Sequence, residues 1–270
     1  MMAVISYYTR SLLTNKSLWG WGVLFMGFWL VLGAYIFVQS GEIATAQAAL
    51  AYTADWYGII ALFSLSSLST SIAYSIYYAS PALAYSFRYT KLRPITYLLN
   101  LLGSSSFLGV FLSLIMLGGT YALYSTRFGF NLKPSDIPAA VIFSALSGAF
   151  MLALSSFLVL VVNNYLGLRN VSFVSFVPLL LSYVFGFGQL FTSLPTVLLY
   201  SSPMTAMIDL LYHFYSGYAP TVVLTNPSSA ALDWRLMAAS LTAWTLVLLL
   251  TSGFLLGRIR PRSIEEARQA

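Results

Sequence analysis

The chain has 270 residues, of which 59% are hydrophobic and only 7% are charged, and its mean hydropathy is +0.82. Soluble domains carry about 25% charged residues. This composition therefore excludes a soluble enzyme, a nucleic-acid-binding domain and a disordered chain, because such a sequence cannot cover a water-facing surface. Long apolar runs predict an all-α integral membrane protein rather than a β-barrel.

The N-terminal segment, residues 1–17, is predicted to be an amphipathic helix. Its apolar residues recur at helical spacing on one face: Val4, Ile5, Tyr8 and Leu12. Arg10 and Lys16 suit the depth of lipid headgroups, so we expect this helix to lie in the cytoplasmic membrane interface. The alternative is a simple inward extension of the first span. We expect no cleavable signal peptide, because the first apolar run is too long and no A-x-A site follows it.

Six apolar segments are long enough to cross a bilayer, at about 20 residues each. They are residues 18–38, 56–79, 97–123, 137–162, 171–194 and 236–256, and together they predict one transmembrane domain over 1–270. None has an Asp, Glu, Lys or Arg in its middle. Such an interior argues against metalloprotease and proton-coupled mechanisms, which need intramembrane carboxylates or histidines.

Loop charges predict that both termini are cytoplasmic, with residues 257–270 as a cytoplasmic tail. In that orientation ten basic residues fall inside: Arg10, Lys16, Arg88, Lys91, Arg93, Arg169, Arg258, Arg260, Arg262 and Arg268. Three fall outside: Arg127, Lys133 and Arg235. The acidic residues between spans are all assigned to the outside: Glu42, Asp55, Asp136, Asp209 and Asp233. The bias of Lys and Arg toward the inside fixes this orientation.

Polar and small residues mark two of the predicted spans. The second span carries one helical face of serines with a tyrosine beside it: Ser64, Ser67, Ser71, Ser75 and Tyr78. This face is interpreted as a translocation path or dimer seam, with ordinary helix packing as the alternative. The fifth span holds Pro178 and then Gly186, Gly188 and Gln189. These residues predict a flexible helix that lines the path, or else a kink that helps packing.

The longest connection, residues 195–235, is predicted to be an extracytoplasmic re-entrant loop that contains a short helix. Ser202 can cap this helix with Pro203 in its first position, and Gly217 can end it. Its apolar stripe is Met204, Met207, Ile208, Leu211 and Tyr215. Thr205, Asp209 and His213 lie on the other side, so we expect an amphipathic helix dipping into the outer leaflet. Residues 198–218 are not predicted to span, because a charge at the bilayer centre costs at least about 2.5 kcal/mol.

Asp209 and His213 form an acid–histidine pair at i, i+4 spacing. One interpretation is a pH-sensitive or metal-binding element on the outer face. Two ligands cannot make a closed zinc site, and the chain has no other histidine and no cysteine. The alternative is a solvent-facing pair that neutralises locally.

Two short segments, together with this arrangement of elements, resemble the membrane subunit of ABC-2 type transporters. Residues Ser202–Asp209, SPMTAMID, look like that family's NPLTY-type segment after the fifth span. Residues Thr90–Thr96, TKLRPIT, are similar to its LLxTPVSR stretch after the second. The segment Ser80–Arg88 departs from the family's ERE-x-GT stretch, since it has no acid and no glycine.

The resemblance implies a permease that acts as a dimer, with a second copy or a paralogous subunit, and is driven by two cytosolic ATPases that bind ATP and Mg. It implies a plasma-membrane exporter, and the apolar interior rich in Ser and Tyr suggests a hydrophobic or amphiphilic substrate. Membrane lipid is the other expected partner, and nucleic acid is not one. The implied coupling loop is Arg88, Lys91, Arg93 and Pro94, to which Arg10 and Lys16 of the interfacial helix add. The implied extracytoplasmic gate is Pro203, Met207, Asp209, Leu211 and His213.

The positions of the lysines also indicate, without the resemblance, that ATP hydrolysis takes place in another protein. A P-loop needs a glycine directly before its lysine, and none of Lys16, Lys91 and Lys133 follows a glycine. The chain is therefore not expected to be an ATPase, and any ATP energy must come from a partner. The basic loop has an alternative role as an anchor on anionic lipid.

Two other functions compete with the permease. An intramembrane serine protease needs a serine nucleophile and a histidine base. Residues Ala145-Leu146-Ser147-Gly148 weakly resemble such a serine turn, and His213 would have to be the base. A non-transporting assembly subunit would share the composition but would need no coupling loop.

Overall fold

A computed structural model describes residues 2–38, 45–90, 92–166, 171–223 and 229–259. These ranges contain ten α-helices: α1 Met2–Leu13, α2 Lys16–Trp19, α3 Phe25–Tyr35, α4 Ala46–Tyr89, α5 Pro94–Phe128, α6 Ile137–Val161, α7 Ser172–Phe191, α8 Thr196–Ser201, α9 Pro203–Ser216 and α10 Trp234–Leu256. Two π-helical segments add to them. Gly20–Leu24 joins α2 to α3, and Val162–Leu166 extends α6.

Six helices are long and apolar enough to cross a membrane, which confirms the six predicted spans as helices. They are Lys16–Tyr35, Ala46–Tyr89, Pro94–Phe128, Ile137–Leu166, Ser172–Leu190 and Trp234–Leu256. Residues 198–218, which were not predicted to span, hold the two short helices α8 and α9, broken at Ser202. Lys91, Arg169 and residues 260–270, to which the sequence assigned cytoplasmic positions, lie outside the described residues.

Helix α1 confirms the predicted amphipathic segment. Leu12 is buried and Ile5 and Tyr8 are half-buried, whereas Arg10 is exposed. The apolar face packs on α5, where the Ser104 hydroxyl donates to the Ile5 carbonyl at 3.0 Å. The membrane-interface position of α1 stays a prediction.

Helix α4 is much longer than the span predicted for residues 56–79. It has 44 residues, which at 1.5 Å per residue makes it about 66 Å long. It begins at Ala46, where the Thr45 hydroxyl accepts the Ala48 N–H at 3.2 Å. Its alanine-rich first turns favour helix without being continuously apolar, so hydropathy alone places the start ten residues too late. The same extension draws Asp55, predicted to lie in an outer loop, into the helix.

Helix α4 is also the centre of the bundle. Every residue from 53 to 69 is buried, and the helix packs against α5, α6, α7 and α9. Its first half forms one apolar cluster with α9, and its second half forms another with α5 and the end of α10. The surrounding helices therefore cover the middle of α4 completely.

Small residues allow a close helix crossing between α5 and α6. A Cβ on Gly148 would lie 2.5 Å from the Ser105 carbonyl oxygen and 3.1 Å from the Cα of Gly109. The Ser105 hydroxyl donates to the Gly148 carbonyl at 2.6 Å. Small residues are the usual means by which membrane helices approach this closely.

The ends of α9 confirm the predicted capping. Ser202 precedes Pro203, which occupies the first turn, and Gly217 ends the helix at φ +77°. The Gly217 N–H donates to the His213 carbonyl at 2.8 Å, as a left-handed C-cap requires. Ser and Gly at these two positions thus set the length of the helix.

The predicted environment of α9 is wrong. Helices α4, α6, α7 and α10 all pack against α9, and both its apolar stripe and Thr205 and Asp209 on the opposite side are buried. The helix is therefore an internal element and does not lie with one face in water. The periodicity identified the apolar face correctly, but the polar face meets polar groups of another helix instead of solvent.

Candidate functional site

Two buried acids lie in the interior of the bundle. Asp55 on α4 is 2% exposed and Asp209 on α9 is 0% exposed, and they are the only buried charged residues in the described ranges. The helices that carry them cross in direct contact at Gly58 and Ile208. Gln189 on α7 is also fully buried, and its Nε2 donates to Asp209 Oδ1 at 2.6 Å. We call Asp55, Asp209 and Gln189 the carboxyl cluster.

A glycine contact holds the two acidic helices together. A Cβ on Gly58 would lie 2.9 Å from the Ile208 carbonyl oxygen, so the backbones of α4 and α9 are in direct contact there. Asp55 lies one helical turn before Gly58, and Asp209 follows Ile208 directly. The crossing therefore fixes the two carboxyl groups beside each other.

Several oxygen atoms of the carboxyl cluster have no hydrogen-bond donor. They are Asp55 Oδ1, Asp209 Oδ2 and Gln189 Oε1. A buried acceptor without a donor costs about 1–3 kcal/mol, and more when it is charged. The cluster is therefore an unsatisfied polar site, and it holds the only buried charged residues among those that the structure describes.

The surroundings of Asp209 disfavour its charged form. Burial raises the pKa of the Asp209 carboxyl well above its usual range, and the hydrogen bond from Gln189 opposes this only in part. Tyr212 lies one turn further along α9, and its pKa responds to the charges of both acids. Burial first, and then the charge of Asp55, raise the pKa of Tyr212 to about 12. The surroundings of Asp209 thus favour its neutral form.

Asp209 and His213 do not form the predicted pair. Asp209 bonds to Gln189, whereas His213 Nδ1 lies 2.7 Å from the Tyr218 carbonyl and the ring stacks on Trp234 with centroids 5.3 Å apart. The solvent-facing interpretation is wrong for Asp209, because that residue is fully buried. No group of three or more His, Cys, Asp or Glu side chains that could hold a metal occurs among the described residues.

Asp55 was not predicted as a site residue, although its helix crosses that of Asp209. Asp55 stands at the edge of the predicted second span, and the assignment to an outer loop rested on hydropathy. The signal that could have found it is the alanine-rich stretch before it, since Ala46–Ala51 favours a helix that continues into the span. Its pairing with Asp209 has no local signal.

The serine face of α4 makes packing contacts with the first membrane helix. The Ser64 hydroxyl donates to the Gly22 carbonyl at 2.7 Å, and a Cβ on Gly22 would lie 3.3 Å from the Cβ of Ser67. Ser71 is buried and Ser75 is half-buried. These contacts support the packing alternative at Ser64 and Ser67, and a path along this face stays a prediction.

The remaining residues predicted for the translocation path do not line one common surface. Gly186 lies under the Phe63 ring, whose Cε1 would be 3.1 Å from an added Cβ, while Gly188 is half-buried. Tyr78 is 73% exposed and stacks on Tyr74. Gln189 alone belongs to the carboxyl cluster. Pro178 lies within α7, which continues past it to Phe191.

The predicted gate residues lie along α9. Met207 and Leu211 are fully buried beside Asp209, and Pro203 is half-buried in the first turn. His213 is half-buried near the C-terminal end of the helix. All five therefore belong to one internal helix, and any motion of α9 would move them together.

The C-terminal end of α4 and the start of α5 carry exposed basic and aromatic side chains and one exposed isoleucine. They surround the short connection to α5, and we call them the basic–aromatic surface: Tyr85, Arg88, Tyr89, Arg93 and Ile95. The Tyr85 and Tyr89 rings stack with centroids 6.4 Å apart. Pro94 occupies the first turn of α5 directly after Arg93.

A groove of about 490 Å³ opens beside this surface. It is lined by the end of α4, the start of α5 and the end of α10: Ala84, Phe87, Arg88, Pro94, Leu256, Gly257, Arg258 and Ile259. Arg88 and Arg258 are exposed, and the Arg258 guanidinium lies 4.1 Å from the centre of the Phe254 ring. The structure thus gathers two basic segments, distant in sequence, at one end of the bundle.

Ser147 and His213, the residues predicted for a protease, do not form a hydrogen bond with each other. Ser147 lies inside α6, and its hydroxyl donates to the Phe143 carbonyl at 2.7 Å. His213 makes its hydrogen bond with Tyr218. A serine protease needs the nucleophile within hydrogen-bond reach of its base, and the hydrogen bonds of both groups go elsewhere.

No family model matches the sequence, and no curated protein matches it.

Proposed function

We propose that the chain is the membrane-spanning permease subunit of an ABC-2 type transporter. It exports a hydrophobic or amphiphilic substrate across the plasma membrane, as a dimer with a second copy or a paralogous subunit. Two separate cytosolic ATPase subunits bind ATP and Mg and supply the energy. Their closure moves the cytoplasmic loops, and this motion opens the path between the two membrane subunits to alternate sides.

The observation that carries the proposal is the basic–aromatic surface. Tyr89 is 79% exposed, Ile95 is 53% exposed and Tyr85 is 47% exposed. Arginine and aromatic residues are the types enriched at the centres of protein interfaces. Because α4 is about 66 Å long and a hydrocarbon core is about 30 Å thick, one end of it can reach well beyond the bilayer to a soluble partner.

The order of the helices supports the same proposal. An amphipathic α1 precedes six membrane helices, and the broken pair α8 and α9 lies between the last two. In the proposed orientation, Arg88, Arg93 and Arg258 face the cytoplasm, as the inside bias of basic residues requires. The α8–α9 segment is then the extracytoplasmic re-entrant element.

Helix α7 of this chain offers a surface on which a second membrane subunit could pack. This helix leaves a stripe of large apolar side chains exposed at i, i+3, i+7 and i+11: Phe173, Phe176, Leu180 and Val184. We propose this stripe as the dimer seam and path wall, because Ser64 and Ser67 on the serine face of α4 pack against Gly22 within one subunit. An apolar wall of this kind suits an amphiphile better than a charged solute.

Co-purification tests the proposal. The tagged full chain is extracted from its native membranes in mild detergent, and the co-eluting proteins are identified and quantified by mass spectrometry. We expect a soluble protein with a P-loop in a ratio near one to one, since each dimer binds two ATPases. A chain that elutes alone, or only with other membrane proteins, would contradict the proposal and favour the assembly-subunit alternative.

A further inference from the structure

We propose that the carboxyl cluster of Asp55, Asp209 and Gln189 is a binding site for a small cation inside the membrane domain. The inference goes beyond the transporter proposal and does not depend on it. It rests on the burial of the three side chains, on their free oxygen atoms and on the absence of a basic partner among the residues that the structure describes.

No positive charge in the described part of the chain faces the two acids. Six helices pack against α9 or α4 near the cluster, and α3, α6, α7 and α8 carry no charged residue. The connection from α5 to α6, which contacts Tyr215 of α9, carries Lys133 and Asp136, and both are exposed. α10 carries only Arg235, which is exposed in its first turn, and α5 carries only Arg127 near its end. On α4 the other charged residue is Arg88, in the last turn.

The remaining titratable groups near the cluster are tyrosines and one histidine. Tyr212 of α9 interacts with both acids, and Tyr215 of α9 packs on Tyr57 of α4 with ring centroids 5.2 Å apart. Tyr183 of α7 stacks on Phe63. His213 is turned to the Tyr218 carbonyl. The tyrosines supply no positive charge, and the His213 ring is engaged away from the acids, so among the described residues nothing compensates the two carboxylates and a bound cation is the proposed source.

The free atoms define the chemistry of the ligand. Gln189 is fully buried and its amide nitrogen bonds to Asp209, yet its Oε1 has no partner. With Asp55 Oδ1 and Asp209 Oδ2 it makes three oxygen acceptors from three helices. An oxygen-only set with two carboxylates suits a proton or a hard metal ion such as Na⁺, and ionisable groups inside membrane domains commonly serve such ions.

The position of the cluster gives the cation a mechanical role. The acids lie on α4 and α9, and the amide lies on α7, so a cation between them holds the internal helix α9 against the central helix. Removal of the cation would leave two carboxylates repelling each other across the Gly58–Ile208 contact. Cation binding is therefore expected to hold α9 in the packed position and cation release to loosen it.

Thermal unfolding of the purified full chain in detergent, followed by tryptophan fluorescence, tests this inference. One arm replaces choline with Na⁺ in alkaline buffer, and the other lowers the pH in choline buffer. We expect a rise in melting temperature of roughly 5 °C in at least one arm. A response to Na⁺ identifies a metal ion as the ligand, and a response to acid alone identifies a proton.

The matched variants are D55N/D209N and D136N. The double variant removes both charges and is expected to lose the response in either arm. Asp136 is exposed and caps α6, and asparagine caps a helix as well as aspartate does, so D136N should respond as the wild type does. If D55N/D209N does not fold, Q189L, which removes the free amide oxygen, replaces it and is expected to weaken the response.

Equal melting curves for wild type and D55N/D209N in both arms would overturn the inference. Because the measurement uses the purified chain without any partner, its failure would leave the co-purification result unaffected. A failed co-purification would likewise leave the cation site standing.

Discussion

Replacing Gly58 with leucine is expected to destabilise the protein more than any other single change proposed here. The glycine is buried where α4 crosses α9, and an added Cβ would lie 2.9 Å from the Ile208 carbonyl oxygen. A backbone atom cannot move aside as a flexible side chain can, so the helices must separate. Overpacking of this size is expected to cost more than about 3 kcal/mol. A fall in the melting temperature of the purified chain measures it.

Gly118→Leu is the matched control for Gly58→Leu. Gly118 lies on the exposed face of α5, and an added Cβ meets no atom within 4 Å. Leucine suits a lipid-facing position, so this variant is expected to melt as the wild type does. Equal melting temperatures for the Gly58 and Gly118 variants would contradict the close contact of α4 with α9.

Charge reversal at the basic–aromatic surface is expected to have the largest effect on partner binding. The variant is R88E/R93E, which replaces the two exposed arginines flanking the α4–α5 connection. An arginine at the centre of an interface contributes about 2 kcal/mol, which is about thirty-fold in Kd for each residue. We expect the co-purified ATPase activity sensitive to vanadate to fall below detection, while the melting temperature of the chain changes little.

R235E controls for charge reversal at an exposed arginine elsewhere on the chain, although it changes the net charge by half as much as R88E/R93E. Arg235 is also exposed, but it lies in the first turn of α10, and the groove beside Arg88 is lined by the other end of that helix. This variant should retain the partner and its ATPase activity. Equal loss of activity in R235E and R88E/R93E would show that net charge, and not the position of the arginines, governs the binding. That outcome would favour the lipid-anchor role for the basic loop.

Local signals in the sequence account for the parts of the fold that were predicted well. Six helices of membrane-spanning length follow from apolar runs, because length and hydropathy are properties of each segment alone. The limits of α9 follow from Ser202, Pro203 and Gly217, whose roles at helix ends depend only on neighbouring backbone atoms. The amphipathic α1 follows from its periodicity in the same way.

The carboxyl cluster could not be predicted, since it depends on contacts between distant segments. Asp209 was expected to meet water because polar faces of short helices usually do. Its partners Gln189 and Asp55 stand on two other helices, and the Gly58–Ile208 contact that aligns them is a feature of packing. The serine face of α4 shows the same limit, because a row of small polar residues fits both a path and a tight helix contact. The contact of Gly22 with Ser64 and Ser67 is what favours the tight helix contact over the path.

Site-specific crosslinking tests the central claim, an ATPase at the basic–aromatic surface, most directly. The chain has no cysteine, so one introduced cysteine can carry a photoreactive group without background labelling. We would place it at Tyr89, which is 79% exposed in the last turn of α4, and as a control at Lys133, which is exposed in the connection from α5 to α6. The account predicts a crosslink from Tyr89→Cys to a soluble P-loop protein in native membranes and none from Lys133→Cys. Crosslinks from Tyr89→Cys to lipid alone would contradict it.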